Sequence, residues 1–252
     1  MRRSIGLLLV IFPVGVSCLQ AQTASEPPRG PDYSTRRITP GVEVLPYAGI
    51  PFSGTDTIVR SQITDEGASI VTSETSQVVR DGQGKVYRER HSFAPEGVDP
   101  RKTIYEFYVL DPIARTHTAC TLATHQCTIT AYYPQFSFRL MPTGPFDNGR
   151  QSLARESLGQ QTIDDLPAIG TRETTTISPG TIGNDRALTL TREFWYSPDL
   201  KTNIAVTRTD PREGTSTIHL TVLSRSEPDP SIFAVPDGYT VQDARHPAQP
   251  LH

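Results

Sequence analysis

Ala187-Leu-Thr-Leu-Thr-Arg-Glu-Phe-Trp-Tyr196 is the stretch on which the fold reading turns. Leu188, Leu190, Phe194 and Tyr196 share one parity, and Thr189, Thr191, Glu193 and Trp195 share the other. A period of two marks a β-strand, whose successive side chains point to opposite faces. Ser197-Pro-Asp199 then turns the chain, since proline presets φ and aspartate bonds to nearby backbone. Thr202 to Thr209 returns, Asp210-Pro211 through Gly214 turns again, and Thr215 to Ser224 sets Ile218, Leu220 and Val222 on one face. Strands joined by turns this short pair antiparallel, because a parallel crossover needs roughly a dozen residues or more.

The same style runs upstream. Strands are expected at Thr55–Thr64, Ala68–Arg80 and Lys85–Phe93, with Asp81-Gly-Gln-Gly84 turning the second into the third. Further strands are expected at Thr103–Leu110, Thr116–Leu122 and Cys127–Tyr133, then at Glu156–Thr162 and Ala168–Ile177 around an Asp164-Asp165 turn. Leu153 to Glu156 are good helix formers behind Ser152, so a short helix ending near Gly159 is an alternative there. Pro134 to Gly149 reads as irregular. The class is all-β with few short helices.

The ends read differently. Arg2 and Arg3 precede an apolar run from Ile5 to Val16, the length of a secretory leader rather than a membrane span, with cleavage expected after Ala21. Export to the periplasm or beyond follows, with a lipid anchor through Cys18 as the alternative. Losing Arg2 and Arg3 takes the formal net charge from −3 to about −5, with no basic stripe for nucleic acid and no further apolar span. Residues 22–54, rich in proline and glycine, read as an extended arm, 55–243 as one β domain and 244–252 as a flexible tail.

Large apolar residues occur on both parities of several strands, as with Tyr105 and Phe107 against Ile104 and Tyr108. Both faces of the sheet must therefore be covered, either in a flat sandwich or by a curved sheet enclosing something. The stretch Glu193-Phe-Trp-Tyr-Ser-Pro-Asp-Leu200, the strands after it and the ending Glu227-Pro-Asp-Pro-Ser-Ile-Phe-Ala-Val-Pro-Asp-Gly-Tyr-Thr-Val241 resemble the close of the lipoprotein-carrier (LolA/LolB-like) half-barrel superfamily. The whole chain also looks like a group of uncharacterised exported bacterial proteins that share Gly180-Thr-Ile-Gly-Asn-Asp185. The resemblance implies a strongly curved, half-barrel-like antiparallel sheet with an apolar cavity. Here helical lid segments are not evident, the arm before Gly54 is long, and a hairpin disulfide is expected.

Cys120 and Cys127 flank a loop centred on Ala123-Thr124, which sets them opposite each other at disulfide distance. A zinc or copper(I) site from His117, Cys120, His125 and Cys127 is the competing reading, but that register spreads the two histidines apart. No metal or cofactor is expected. Asp164 and Asp165 are adjacent and read as a turn, Gly180-Thr-Ile-Gly lacks the lysine of a phosphate loop, and no serine sits in a Gly-x-Ser-x-Gly elbow. Tyr105, Phe107, Phe194 and Trp195 are the candidate ligand-lining aromatics; filling the core is their alternative role. The reading is a non-enzymatic envelope protein that binds an acyl chain or lipidated partner. The alternatives are an interaction or sensor module that engages another envelope protein through sheet edges or the proline-rich arm, and an exported hydrolase with a dispersed site.

Overall fold

The computed structural model describes residues 42–64, 66–95, 97–133 and 140–245. The leader, most of the arm and most of the tail expected from the sequence lie outside the described residues.

Alternation of small, β-branched and apolar residues produces one sheet of fourteen strands. They are β1 (Phe52–Ile63), β2 (Ser69–Arg80), β3 (Val86–His91), β4 (Ala94–Pro95), β5 (Ile104–Asp111), β6 (Thr116–Thr121), β7 (Gln126–Ala131), β8 (Gly144–Phe146), β9 (Gln151–Ile163), β10 (Leu166–Ile177), β11 (Leu188–Ser197), β12 (Thr202–Asp210), β13 (Gly214–Ser224) and β14 (Thr240–Asp243). Their order is β14-β7-β6-β5-β3-β2-β1-β13-β12-β11-β10-β9-β8, with β4 beside β2. The sheet is curved and does not close on itself, a half-barrel. Every neighbouring pair is antiparallel except β14, which runs parallel to β7.

Most turns form as their residues dictate. Asp81 Oδ1 accepts from the amides of Gln83 (2.9 Å) and Lys85 (2.7 Å), and Gly84 takes φ +87°. Asp164 and Asp165 both have positive φ, and Ile163 pairs directly with Leu166, so the two aspartates form a tight hairpin turn. Four elements differ from the sequence reading, β14 among them because no strand was expected after Ser224. β1 begins at Phe52, which pairs with Arg80, and runs through a bulge at Gly54, where a Cβ would lie 2.7 Å from the Thr221 carbonyl oxygen. Residues 153–159 are strand, since pairing along β10 from Gln151 to Ile163 outweighs their helix propensity. Gly144–Phe146 forms an edge strand, and Pro145 is tolerated there because an edge leaves a donor unused.

The core lies on the face of β1 that carries Phe52, Asp56 and Ile58, here called the inner face. Val78, Val86, Ile204, Val206, Ile218 and Leu220 pack there, and Val42 and Val44 of the arm are buried with them. Two arginines hold the arm down. Arg80 donates to the carbonyls of Leu45 (2.9 Å), Ile50 (2.8 Å) and Leu200 (2.8 Å). Arg88 bonds both the Val42 carbonyl and Asp56. One half of the inner face is thus filled by the protein's own chain.

Candidate functional site

A second, smaller core lies on the opposite, outer face. Cys120 and Cys127, paired across β6 and β7, form a disulfide. Phe107 of β5 packs on it, with Tyr87, Leu122, Val235 and Tyr239 around it. Val235 and Tyr239 belong to a carboxy-terminal strap that crosses this face.

The strap is tied at both ends by specific bonds. Glu227 accepts twice from the Gly82 amide, at 3.0 and 2.9 Å, and a Cβ at Gly82 would lie 2.7 Å from its carboxylate. Asp229 caps a short 3-10 turn, Pro230–Phe233, by accepting from the Ser231 amide at 2.9 Å. At the far end, Tyr239 meets Phe107 edge-on at 6.1 Å and His125 at 5.0 Å, and the Thr240 amide donates to the His125 carbonyl. β14 then continues the sheet beside β7.

Between strap and sheet lies a groove of about 380 Å³, lined by Tyr87, Phe107, Ser231, Ile232, Ala234, Val235, Pro236 and Asp237. That is the lower end of the range for small-molecule sites. Its walls are mostly apolar. The Tyr87 hydroxyl donates to Glu89 (3.2 Å), and burial pushes its pKa up, so it stays protonated. Asp237 also lines the groove, and the Asp229 carboxylate lies beside Ser231, accepting from its amide at 2.9 Å.

The four aromatics proposed from sequence do not converge. Phe107 is buried in the groove floor, while Tyr105, two residues along the same strand, is 46% exposed. Phe194 and Trp195 pack half-buried against the main core, and the Trp195 ring covers Gly170, where a Cβ would sit 2.5 Å from it. His117 stacks against Tyr108 on the inner face, opposite to the disulfide, so the two histidines and two sulfurs do not form a ligand set. Tyr87 and the strap residues escaped the sequence reading. Their only sequence signal was the Phe233-x-x-Pro236-x-Gly238 ending.

One further polar chain has a familiar chemical form. His91 Nδ1 lies 3.0 Å from the Thr103 hydroxyl, and its Nε2 lies 3.1 Å from Glu89. His91 is buried and does not line the groove. It fastens β3 to the start of β5 at a bulge, and a buried network of this kind rigidifies a strand junction.

No family model matches the sequence, and no curated protein matches it. Solved structures that resemble the fold include an uncharacterised conserved protein from Thermus thermophilus (12% identical, covering 77% of this chain and 91% of that one, TM-score 0.41). Another is a LolA superfamily protein from Nitrosomonas europaea (13%, 75% and 92%, TM-score 0.30). A third is the lipoprotein LppX from Mycobacterium tuberculosis (13%, 71% and 90%, TM-score 0.25). With TM-scores this low, no residue role is carried across, and the fold description stands on this chain's own strand pairing. Among the described residues, no helix is long and apolar enough to cross a membrane.

Proposed function

We propose that the chain is a non-enzymatic, exported envelope protein, periplasmic or secreted, that holds an apolar ligand (an acyl chain or the lipid of a lipidated partner) under its carboxy-terminal strap. The observation that carries this reading is the apolar groove between Phe107 with Tyr87 and the strap residues Ile232, Ala234 and Val235. Burying a chain there gains roughly 25 cal/mol per Å² of apolar surface before the costs of association. The leader features and the hairpin disulfide support an oxidising compartment.

The test is palmitate uptake by the purified protein. Val235→Trp, which fills the groove, is expected to weaken uptake by about tenfold or more, while Trp195→Phe leaves it unchanged. Equal uptake by Val235→Trp, or none by the parent, contradicts the reading.

A second reading rests on the opposite edge. β8 pairs only with Gln151–Leu153, so the rest of β9, residues 154–163, has no partner on that side among the described residues. An extended segment of another envelope protein could add a strand there. Gln161→Pro would abolish such an interaction and leave palmitate uptake intact.

A further inference from the structure

The inner face of the other half-sheet carries a row whose charges do not balance. Read across the strands at one level, it runs Arg155 (β9), Glu173 (β10), Arg192 (β11), Arg208 (β12), Ser216 (β13) and Arg60 (β1), each directly opposite the next. On the outer face one residue away the pattern is the reverse. There Arg172 sits between two carboxylates, Glu156 at 2.7 Å and Glu193 at 2.6 Å. On the inner face a single buried carboxylate, Glu173, serves two guanidiniums, Arg155 and Arg192, each at 2.6 Å.

The next position repeats the shortage. Arg192 and Arg208 are direct cross-strand partners of like charge, an arrangement that destabilises an antiparallel pair. Arg208 reaches Asp210 at 3.3 Å, but Asp210 is held more closely by Arg212 at 2.7 Å; Glu213 (3.1 Å from Arg208) is exposed. Arg60 stacks on the Phe93 ring at 3.9 Å, and Arg192 lies 5.3 Å from the Phe194 ring. Glu74 is an acidic group near Arg60, and burial raises its pKa. A guanidinium lying over a ring keeps its edge donors, the fork that grips carboxylate or phosphate. One step along the same strands, the row borders Phe194, Val206, Ile218 and Ile58, which are apolar.

We propose that Arg192 and Arg208, with Ser216 beside Arg208 on the same face, form a binding site for the carboxylate or phosphate group of an anionic ligand. An oxyanion there would sit between the like-charged arginines and relieve their repulsion. The site lies on the face opposite the strap groove and does not depend on the reading given above.

The test measures binding of inorganic phosphate and of dodecyl phosphate to the whole protein at low salt. Arg208→Gln is expected to weaken binding by about tenfold or more, Arg192→Gln to weaken it too, and Arg172→Gln on the outer face to leave it unchanged. Arg208→Gln should also be no less stable than the parent without ligand, because it removes the repulsion while Arg212 keeps Asp210. Tight binding of dodecyl phosphate with weak binding of phosphate assigns the anion to a lipid headgroup. Equal binding of both assigns it to a free oxyanion. Failure of both to bind, or affinity unchanged in Arg208→Gln and Arg192→Gln, overturns the proposal.

Discussion

Arg80 is fully buried, and it makes its three bonds to main-chain carbonyls from the arm, the approach to β1 and the turn before β12. Its burial pulls the guanidinium pKa down to about 10, still well above neutrality. Lysine cannot present that planar fork, so Arg80→Lys is expected to cost about 3 kcal/mol in urea denaturation, through carbonyls left without donors. Asp56 is the complementary case. Burial pushes its carboxyl to about 6 against the pull of Arg88, and its Oδ1 has no hydrogen-bond partner among the described residues. The folded state therefore binds the proton more tightly than the unfolded chain. Its contribution is greatest below the unfolded value near 3.8 and is lost as pH rises through about 6. Relative to Asp56→Asn, the parent should lose up to about 3 kcal/mol between pH 4 and pH 7; parallel stability curves for the two proteins would show that Asp56 titrates normally.

The β6–β7 hairpin links core, disulfide and strap at the level of elements. The loop between Cys120 and Cys127 is short, with a sequence separation of 7, so its crosslink constrains the unfolded chain modestly. Cys120→Ser with Cys127→Ser is expected to lower stability by about 2 kcal/mol, and to loosen the strap, since β14 rests on β7. Limited proteolysis near residues 230–239 reads the second effect; unchanged cleavage rates would separate strap from hairpin. In β10, Gly170→Val forces atoms against the Trp195 ring and Leu158, and an overpacking cost of about 1–3 kcal/mol is expected by denaturation followed through tryptophan fluorescence. The strands were the most legible part of the sequence, because alternation is a local signal and Leu188 to Tyr196 show it without help from distant residues. β8 and β14 were not legible: three and four residues carry too little pattern, and both exist only because a neighbour's edge is free. The Leu153–Glu156 ambiguity was real, and only pairing with β10 decides it.

For the whole molecule, a single open sheet leaves two faces and two edges to manage, and each is handled by a different device. The amino-terminal arm fills half of the inner face, the strap covers one end of the outer face, β14 caps one edge, and β8 covers only the Gln151–Leu153 end of the other. The candidate site was the least legible level, because it joins Tyr87 and Phe107 to residues more than a hundred positions later. Of the four aromatics singled out by sequence, only Phe107 lines the groove; Phe194 and Trp195 answer to the main core. Aromatic content in a strand signals burial, but it does not say which of two cores receives the ring. The most direct measurement is native mass spectrometry of the protein exported to an oxidising compartment, before and after solvent extraction. The account predicts an added lipid mass near one per chain that extraction removes and that Val235→Trp lacks. A bare chain mass that stays bare after incubation with palmitate or phospholipid would contradict it.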